Sequence, residues 1–278
     1  MTASYAYSEH RPLSFSVCDE ELSHDWEPWD MRSSGHAVDQ ADAFGVMLAV
    51  RQGCAERRIP FFCDDAQVAL RHLGLSRGGM LTNAAALLFR PAHEPLVLCR
   101  VYDSTRCDVL IEGADYAGVF SSALDEASIF LRRHALRAFD MDTTSQEGQG
   151  QASRFARALD EALLNAFVHR DYDRTGPVKA VVSPGFVEIS SPGAFLSGEC
   201  VVSRCEEGAP ESFSADHDTD EGIVARNALL LQALYRFGAV DAEKTGMTRI
   251  VSACASCGLR VAWSNRGGCA VISFERSG

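Results

Sequence analysis

The sequence lacks several features that would assign it to a familiar class. It contains no G-x-x-x-x-G-K-[ST] loop, so P-loop motors, including helicases, are excluded. It has no apolar run of about 18 residues, the length a membrane-spanning helix requires. Its start, MTASYAYSEHRPLSF, has no basic segment followed by an apolar one, so we expect no secretory signal.

Metal-binding spacing is also scarce. The ten cysteines are expected in a reducing cytoplasm, where disulfides are rare. Cys254 and Cys257 form a single CxxC within an apolar stretch, and no second pair follows at zinc-ribbon spacing. Cys200 and Cys205 have no nearby histidine. We interpret the cysteines as buried or incidental thiols. A zinc site is the alternative.

Positive charge is in short supply. Only 26 Lys and Arg residues oppose 38 Asp and Glu residues, which gives a net charge of −12. Binding to nucleic acid requires cations that contact phosphates, so we do not expect this chain alone to bind DNA. A local basic face would have to come from Arg132, Arg133 and Arg137, with Arg154 and Arg157. We interpret the first three as a solvated helix face.

Composition divides the chain into four parts. An acidic N-terminal arm (1–43) either docks through Phe15, Trp26 and Trp29 or is partly disordered. An N-terminal α/β region (44–140) precedes a Gly-, Gln- and Ser-rich linker (141–153). The remainder (154–278) forms the second folded region, and any chemistry is expected there, between Arg154 and Phe274.

Hydrophobic periodicity predicts an α+β fold with helices on one face of a mixed sheet. The pattern predicts two helices in 43–75 with a boundary at Ile59-Pro60, a strand at 95–103 and one long helix over 115–139. The second region is predicted to contain a helix (154–171), a hairpin (178–190), a long anionic loop (199–222), two helices (227–237, 248–257) and a strand (267–275). We expect proteases to cut first at 199–222 or 141–153.

A polar stripe marks the helix at 154–171. Glu161, Asn165 and His169 are spaced i, i+4, i+8 and so lie along one edge of its apolar face. An asparagine oxygen suits Mg²⁺, and a glutamate one turn away suits the activation of a water molecule. The alternative is a solvent-exposed helix edge.

Four separated sequence strings resemble a known protein family. They are E-A-L-L-N-A-F-V-H-R-D-Y (161–172), F-V-E-I-S-S-P-G-A-F (186–195), R-N-A-L-L-L-Q-A-L-Y-R-F-G (226–238) and E-K-T-G-M-T-R-I (243–250). Together they resemble the C-terminal domain of bacterial RecG-related transcriptional regulators, which is similar to the GHKL (Bergerat) ATPase fold. This family usually also carries a Schlafen-type AlbA domain, and residues 1–80 do not match it.

The resemblance implies roles for named residues. Asn165 would bind Mg²⁺ between the ATP phosphates, and Glu161 would activate water. Gly193 follows the adenine-reading position, which is Ser191 here. Thr245 and Gly246 would form the phosphate turn.

The chain departs from the family pattern at three places. Ser191 stands where an acid or asparagine is usual, and Lys244 replaces a glycine of the phosphate turn. The loop at 206–221 holds seven acidic residues and no Lys or Arg. His169 belongs either to the site lining or, with Arg170, Asp171 and Tyr172, to a structural closure of the helix.

Three hypotheses about the function of the chain remain open. The first is an ATP-binding regulator, at most a slow ATPase. The second is a degenerate scaffold that keeps the GHKL-like fold but does not bind nucleotide. It would bind a protein partner or associate with itself. The third, a DNA-binding transcriptional regulator, follows from the family name more than from these residues.

Overall fold

The computed structural model describes residues 27–61, 63–195, 225–240 and 246–276. Within these ranges the chain forms seven α-helices and nine β-strands. The helices are α1 (Ala43–Ala55), α2 (Ala66–His72), α3 (Asn83–Phe89), α4 (Phe120–Ala138), α5 (Gln146–Val168), α6 (Ala228–Arg236) and α7 (Gly246–Ala255). The strands are β1 (Ser33–Ala37), β2 (Ser76–Arg77), β3 (Met80–Thr82), β4 (Ala92–Tyr102), β5 (Leu110–Gly118), β6 (Val178–Ser183), β7 (Phe186–Pro192), β8 (Leu259–Arg266) and β9 (Cys269–Arg276).

The central element is a six-stranded mixed sheet in the order β5-β4-β6-β7-β9-β8. β4 and β6 are parallel, and the other neighbours within this sheet are antiparallel. A small antiparallel sheet, β1-β3-β2, forms separately. The predicted α+β class is therefore confirmed.

The helices α4 and α5 cover one face of the large sheet. Alternate residues of each strand point to that face, and Val97, Cys99, Val187 and Ile189 are buried there. Phe155 of α5 is fully buried and meets Phe274 of β9 edge to face at 5.8 Å. One hydrophobic core therefore receives side chains from both halves of the chain.

The predicted hairpin at 178–190 is confirmed. β6 and β7 pair in antiparallel register from Lys179–Ser190 to Ser183–Phe186. Gly185 has φ of +67°, which a glycine adopts without the steric penalty of a side chain. The predicted helices at 227–237 and 248–257 correspond to α6 and α7, and the predicted strand at 267–275 corresponds to β9.

Two predicted boundaries are wrong. The long helix expected over 115–139 begins only at Phe120, because residues up to Gly118 belong to β5 and pair with β4. The linker expected at 141–153 is helical from Gln146 onward, because the Ser145 hydroxyl accepts a hydrogen bond from the Gly148 N–H at 3.1 Å and starts α5 there. Strand β8 was not predicted.

The described part of the N-terminal arm packs against the second folded region. This agrees with the first of the two interpretations of the arm, in which it docks through aromatic side chains. Trp29 stacks on Tyr172 with ring centroids 4.0 Å apart. Phe15 and Trp26 lie outside the described residues. Nowhere in the described ranges is a helix both long and apolar enough to cross a bilayer.

Candidate functional site

The polar stripe lies on the second half of α5, where the helix runs alongside α7. Glu161, Asn165 and His169 are all half-buried, in contrast with their apolar neighbours Ala162 and Leu163, which are buried. They therefore occupy the edge of the apolar face, as their spacing predicted.

Glu161 faces a cation on the neighbouring helix. Its Oε1 lies 3.6 Å from Nη2 of Arg249, a residue in the first turn of α7. The two side chains keep 26% and 39% of their exposed area, so water reaches the pair and weakens its attraction. The candidate general base thus shares an ion pair between α5 and α7.

Asn165 presents its side chain one turn further along α5. Its backbone carbonyl accepts the N–H of His169 at 2.9 Å, which completes the last turn of the helix. Within the described residues, no hydrogen bond engages its side-chain amide. The amide oxygen therefore has capacity for a hard cation or for water.

His169 closes α5 and is neutral at physiological pH. Burial lowers the pKa of its imidazole to about 4, and the nearby Arg226 guanidinium adds to the effect. Arg226 also donates a hydrogen bond from Nε to the His169 carbonyl at 3.3 Å. The imidazole is thus uncharged at this site.

The end of β7 approaches the end of α5. Ser191 is buried and, by alternation, points to the same face as Val187 and Ile189, which is the helix-covered face. Asp171 donates its backbone N–H to the carbonyl of Pro192 at 2.8 Å, which ties the two elements together. The structure therefore brings the position expected to read adenine next to the C-terminal end of the stripe.

Gly193 is required by packing at this junction. Its φ is +104°, and a Cβ placed on it would lie 2.5 Å from Cβ of Asp171. Both facts forbid a larger residue. This structural requirement for glycine exists whether or not a ligand binds.

The expected phosphate turn is only partly described. Lys244 and Thr245 lie outside the described residues, and so does the anionic loop at 206–221. Gly246 is the first residue of α7. The N-terminal turn of α7, which contains Arg249, is therefore the part of this segment that approaches Glu161.

The string at 169–172 makes local bonds of the kind that its structural interpretation predicts. Arg170 donates to the carbonyls of Arg174 at 3.1 Å and Gly176 at 2.6 Å, and its guanidinium lies 4.3 Å from the Tyr172 ring centroid. Asp171 accepts from Nε of Arg174 at 3.1 Å. These bonds fix the chain between α5 and β6.

Two neighbouring residues that sequence reasoning did not single out hold this junction together. Arg226 donates to the carbonyl of Ala194 at 2.8 Å, besides its bond to His169. Asn227 is fully buried and donates to the carbonyls of Val168 at 2.9 Å and Arg170 at 2.8 Å. Both lie within the quoted string at 226–238, but the string alone does not reveal contacts with residues about 60 positions earlier.

A further support comes from the N-terminal arm. Asp30 is fully buried, and its Oδ2 accepts the backbone N–H groups of Leu229 at 2.7 Å and Leu230 at 3.1 Å. These are N–H groups of the first turn of α6, which would otherwise lack partners. Arg32 adds a two-pronged ion pair with Asp173, at 3.0 and 2.7 Å.

Two cavities elsewhere are open to solvent and do not touch the stripe. One, of about 330 Å³, lies at the end of α1 and is lined by Cys54, Ile59 and Phe61, with Arg57 and Pro60. The other, of about 410 Å³, lies at the C-terminal end of α4 and the loop after it, and is lined by Arg133, Leu136, Arg137, Asp140, Met141 and Thr143. Neither offers Glu161 or Asn165 to a ligand.

Comparison with known proteins supports the architecture alone. No protein-family model matches the chain, and no curated protein matches it. A crystal structure of the DIP2311 protein from Corynebacterium diphtheriae is similar, with a TM-score of 0.64 and 18% sequence identity. The similarity covers 90% of this chain but 40% of that protein, so the chain spans well under half of its length. At this identity the likeness shows a shared fold.

Proposed function

We propose that residues 154–278 form a regulatory, GHKL-like unit that binds Mg²⁺–ATP at the edge of α5. The Asn165 side chain carries the proposal, because it is half-buried, unengaged by described residues and one turn from a carboxylate. The four quoted strings support membership of the RecG-related regulator family. The absence of a P-loop supports a regulator without motor activity.

The residues present fit such a ligand in part. Asn165 would hold Mg²⁺, which would neutralise the phosphates and polarise the terminal one. Glu161 would orient water, and Arg249 would lie beside the same position. Ser191 faces the helices and offers a hydroxyl, a weaker partner for the adenine amino group than a carboxylate.

A thermal-shift titration with millimolar Mg²⁺–ATP tests the proposal. A ligand that binds only the folded protein raises its stability by RT ln(1 + [L]/Kd), about 2.7 kcal/mol at 100 times Kd. We expect Asn165→Ala to abolish this increase and Glu161→Gln to retain it while removing slow ATP hydrolysis. The matched control is Gln146→Ala, at the exposed start of the same helix and about 28 Å away by helical rise.

A second candidate, a protein-binding scaffold without nucleotide, is favoured by the Glu161–Arg249 ion pair. In that case the carboxylate serves to hold α5 against α7, and Gly193 serves packing alone. No thermal shift of the wild-type protein with Mg²⁺–ATP would reject the ATP proposal and leave the scaffold. Under the scaffold hypothesis, Arg249→Ala and Glu161→Gln lower stability by similar small amounts, below about 1 kcal/mol each.

A further inference from the structure

Within the part of the chain that the structure describes, one edge of the large sheet has little of the protection that such edges normally have. β5 is the first strand in the spatial order, and on its outer side it pairs with no strand of the described residues. The unpaired N–H and C=O groups of an edge strand invite pairing with another strand. Natural proteins usually block this with charged side chains, prolines or bulges.

The two edges of this sheet differ in the side chains that they expose. The opposite edge strand, β8, presents exposed Arg260, Asn265 and Arg266, and its two arginines pair with Glu275 and Glu188. β5 has the sequence LIEGADYAG and contains no Lys, Arg or Pro. Its pairing with β4 is irregular beside Leu110 and again between Tyr116 and Gly118, and its register is regular from Glu112 to Tyr116. The outer side of this stretch is therefore a straight pairing template.

Exposed apolar side chains cluster at the same edge. Of the seven large exposed apolar residues among the described ranges, Val109, Leu110 and Ile111 lie at or just before the start of β5. Ile129 of α4 is the fourth, with 65% of its area exposed. It lies one turn before Arg133, whose guanidinium reaches Glu112 of β5. Ile129 therefore faces the edge strand from the helix side.

The charges on β5 are already compensated within the chain. Glu112 lies 2.6 Å from Arg133, and Asp115 lies 2.6 Å from Arg100. The edge is locally neutral, although the whole chain carries −12. A second copy of the same strand would thus meet no uncompensated like charge, which is the usual barrier to self-pairing.

We propose that β5 pairs antiparallel with β5 of a second copy of this chain, so that the two sheets form one continuous sheet across a two-fold axis. Such an axis is perpendicular to the sheet, keeps the helices of both copies on the same side and brings each Ile129 toward its counterpart. In a register centred on Gly113 or Ala114, neither Glu112 nor Asp115 lies directly opposite the same residue of the second chain. β5 lies two strands away from β7, so this pairing is independent of the nucleotide proposal.

Light scattering after gel filtration of the full chain tests the pairing. At tens of micromolar we expect twice the 30.2 kDa mass of one chain. Ile111→Glu and Ile129→Glu are expected to reduce the mass to that of a single chain, with unchanged circular dichroism. Leu48→Glu is the matched control, because Leu48 is 59% exposed but lies on α1, and this variant should stay dimeric.

Cysteine cross-linking tests the register. Residues opposite each other in antiparallel strands have Cα atoms about 4.5–5.5 Å apart, within the range of a disulfide. We expect mild oxidation to produce a covalent dimer of either Gly113→Cys or Ala114→Cys. The wild type, with its exposed Cys107, controls for cross-linking elsewhere. A single-chain mass for the wild type at about 100 µM, a dimer that survives both glutamate substitutions, or the absence of both cross-links would each overturn the pairing.

Discussion

Asp30 acts at the residue scale as the cap of a helix that begins about 200 residues later in the chain. Asn227, which occupies the N-cap position of α6, makes no side-chain capping bond of its own. Its side chain is used instead to bind the carbonyls at the end of α5. The capping function is thus supplied by the N-terminal arm. Burial raises the pKa of the Asp30 carboxyl, and the hydrogen bonds from Leu230 and Leu229 oppose that effect.

Removing this cap is expected to destabilise the protein. Asp30→Ala would leave two buried N–H groups of α6 without acceptors and should lower the free energy of unfolding by about 1–3 kcal/mol. Asp30→Asn keeps an acceptor oxygen and should cost less. Urea denaturation monitored by circular dichroism measures both. Asp39→Ala changes an exposed aspartate in the short helix Val38–Gln40 and should shift stability by less than about 0.5 kcal/mol. Equal losses for Asp30→Ala and Asp39→Ala would contradict the capping role.

The candidate site shows what sequence can predict about single residues. The spacing of Glu161, Asn165 and His169 follows from helical geometry, so their common edge was predictable. The partner of Glu161 was not, because Arg249 reaches it only through the packing of α7 against α5. The packing requirement at Gly193 likewise depends on Asp171, which no local pattern indicates.

At the element scale, α5 differs most from its prediction. Gly148 and Gly150 lower the helix propensity of its first two turns, so composition favoured a linker. The capping bond from Gly148 to Ser145 and the burial of Ala152 outweigh that preference. Tertiary contacts commonly decide such weak local preferences.

Substitution by alanine should have opposite effects on stability at the two glycines near the start of α5. A Cβ on Gly150 would meet only the end of the Arg154 side chain at 3.7 Å, so Gly150→Ala should raise stability by about 0.5–1 kcal/mol. A Cβ on Gly148 would lie 2.5 Å from the carbonyl oxygen of Asp142, so Gly148→Ala should lower stability. The denaturation midpoints of the two variants give the comparison. A stabilising effect of both, or of neither, would argue against a helix that begins at Gln146.

At the scale of the whole molecule, the sheet joins the two regions that composition separated. The periodic strands and the hairpin at 178–190 were predictable because their signals are local. The parallel pairing of β4 with β6 was not, because it connects strands on opposite sides of the expected linker. β8 was missed although its residues alternate between buried and partly exposed, since the preceding apolar helix obscured its start.

The charge distribution predicts that this chain alone does not bind duplex DNA at about 150 mM salt. Arg132 is ion-paired with Asp160 and Arg133 with Glu112, which removes two of the five cations available for a basic face. An anisotropy titration with labelled duplex provides the measurement. Micromolar binding that weakens with salt and is lost on Arg132→Glu/Arg133→Glu would restore the DNA-binding hypothesis.

The parallel pair of β4 and β6 has a consequence for how the chain reaches this fold during synthesis. The centre of the sheet cannot form until Val178, which pairs with Val97 and lies about 80 residues later in the chain, has been synthesised. A ribosome adds about 5–20 residues per second, so the β4–β5 hairpin, which is complete at Gly118, emerges roughly 3–12 s before β6 begins at Val178. Throughout that interval both sides of the hairpin are open to strands of other nascent chains. Folding of this protein is therefore expected to be slow, because its central contacts are distant in sequence, and most vulnerable to aggregation midway through translation.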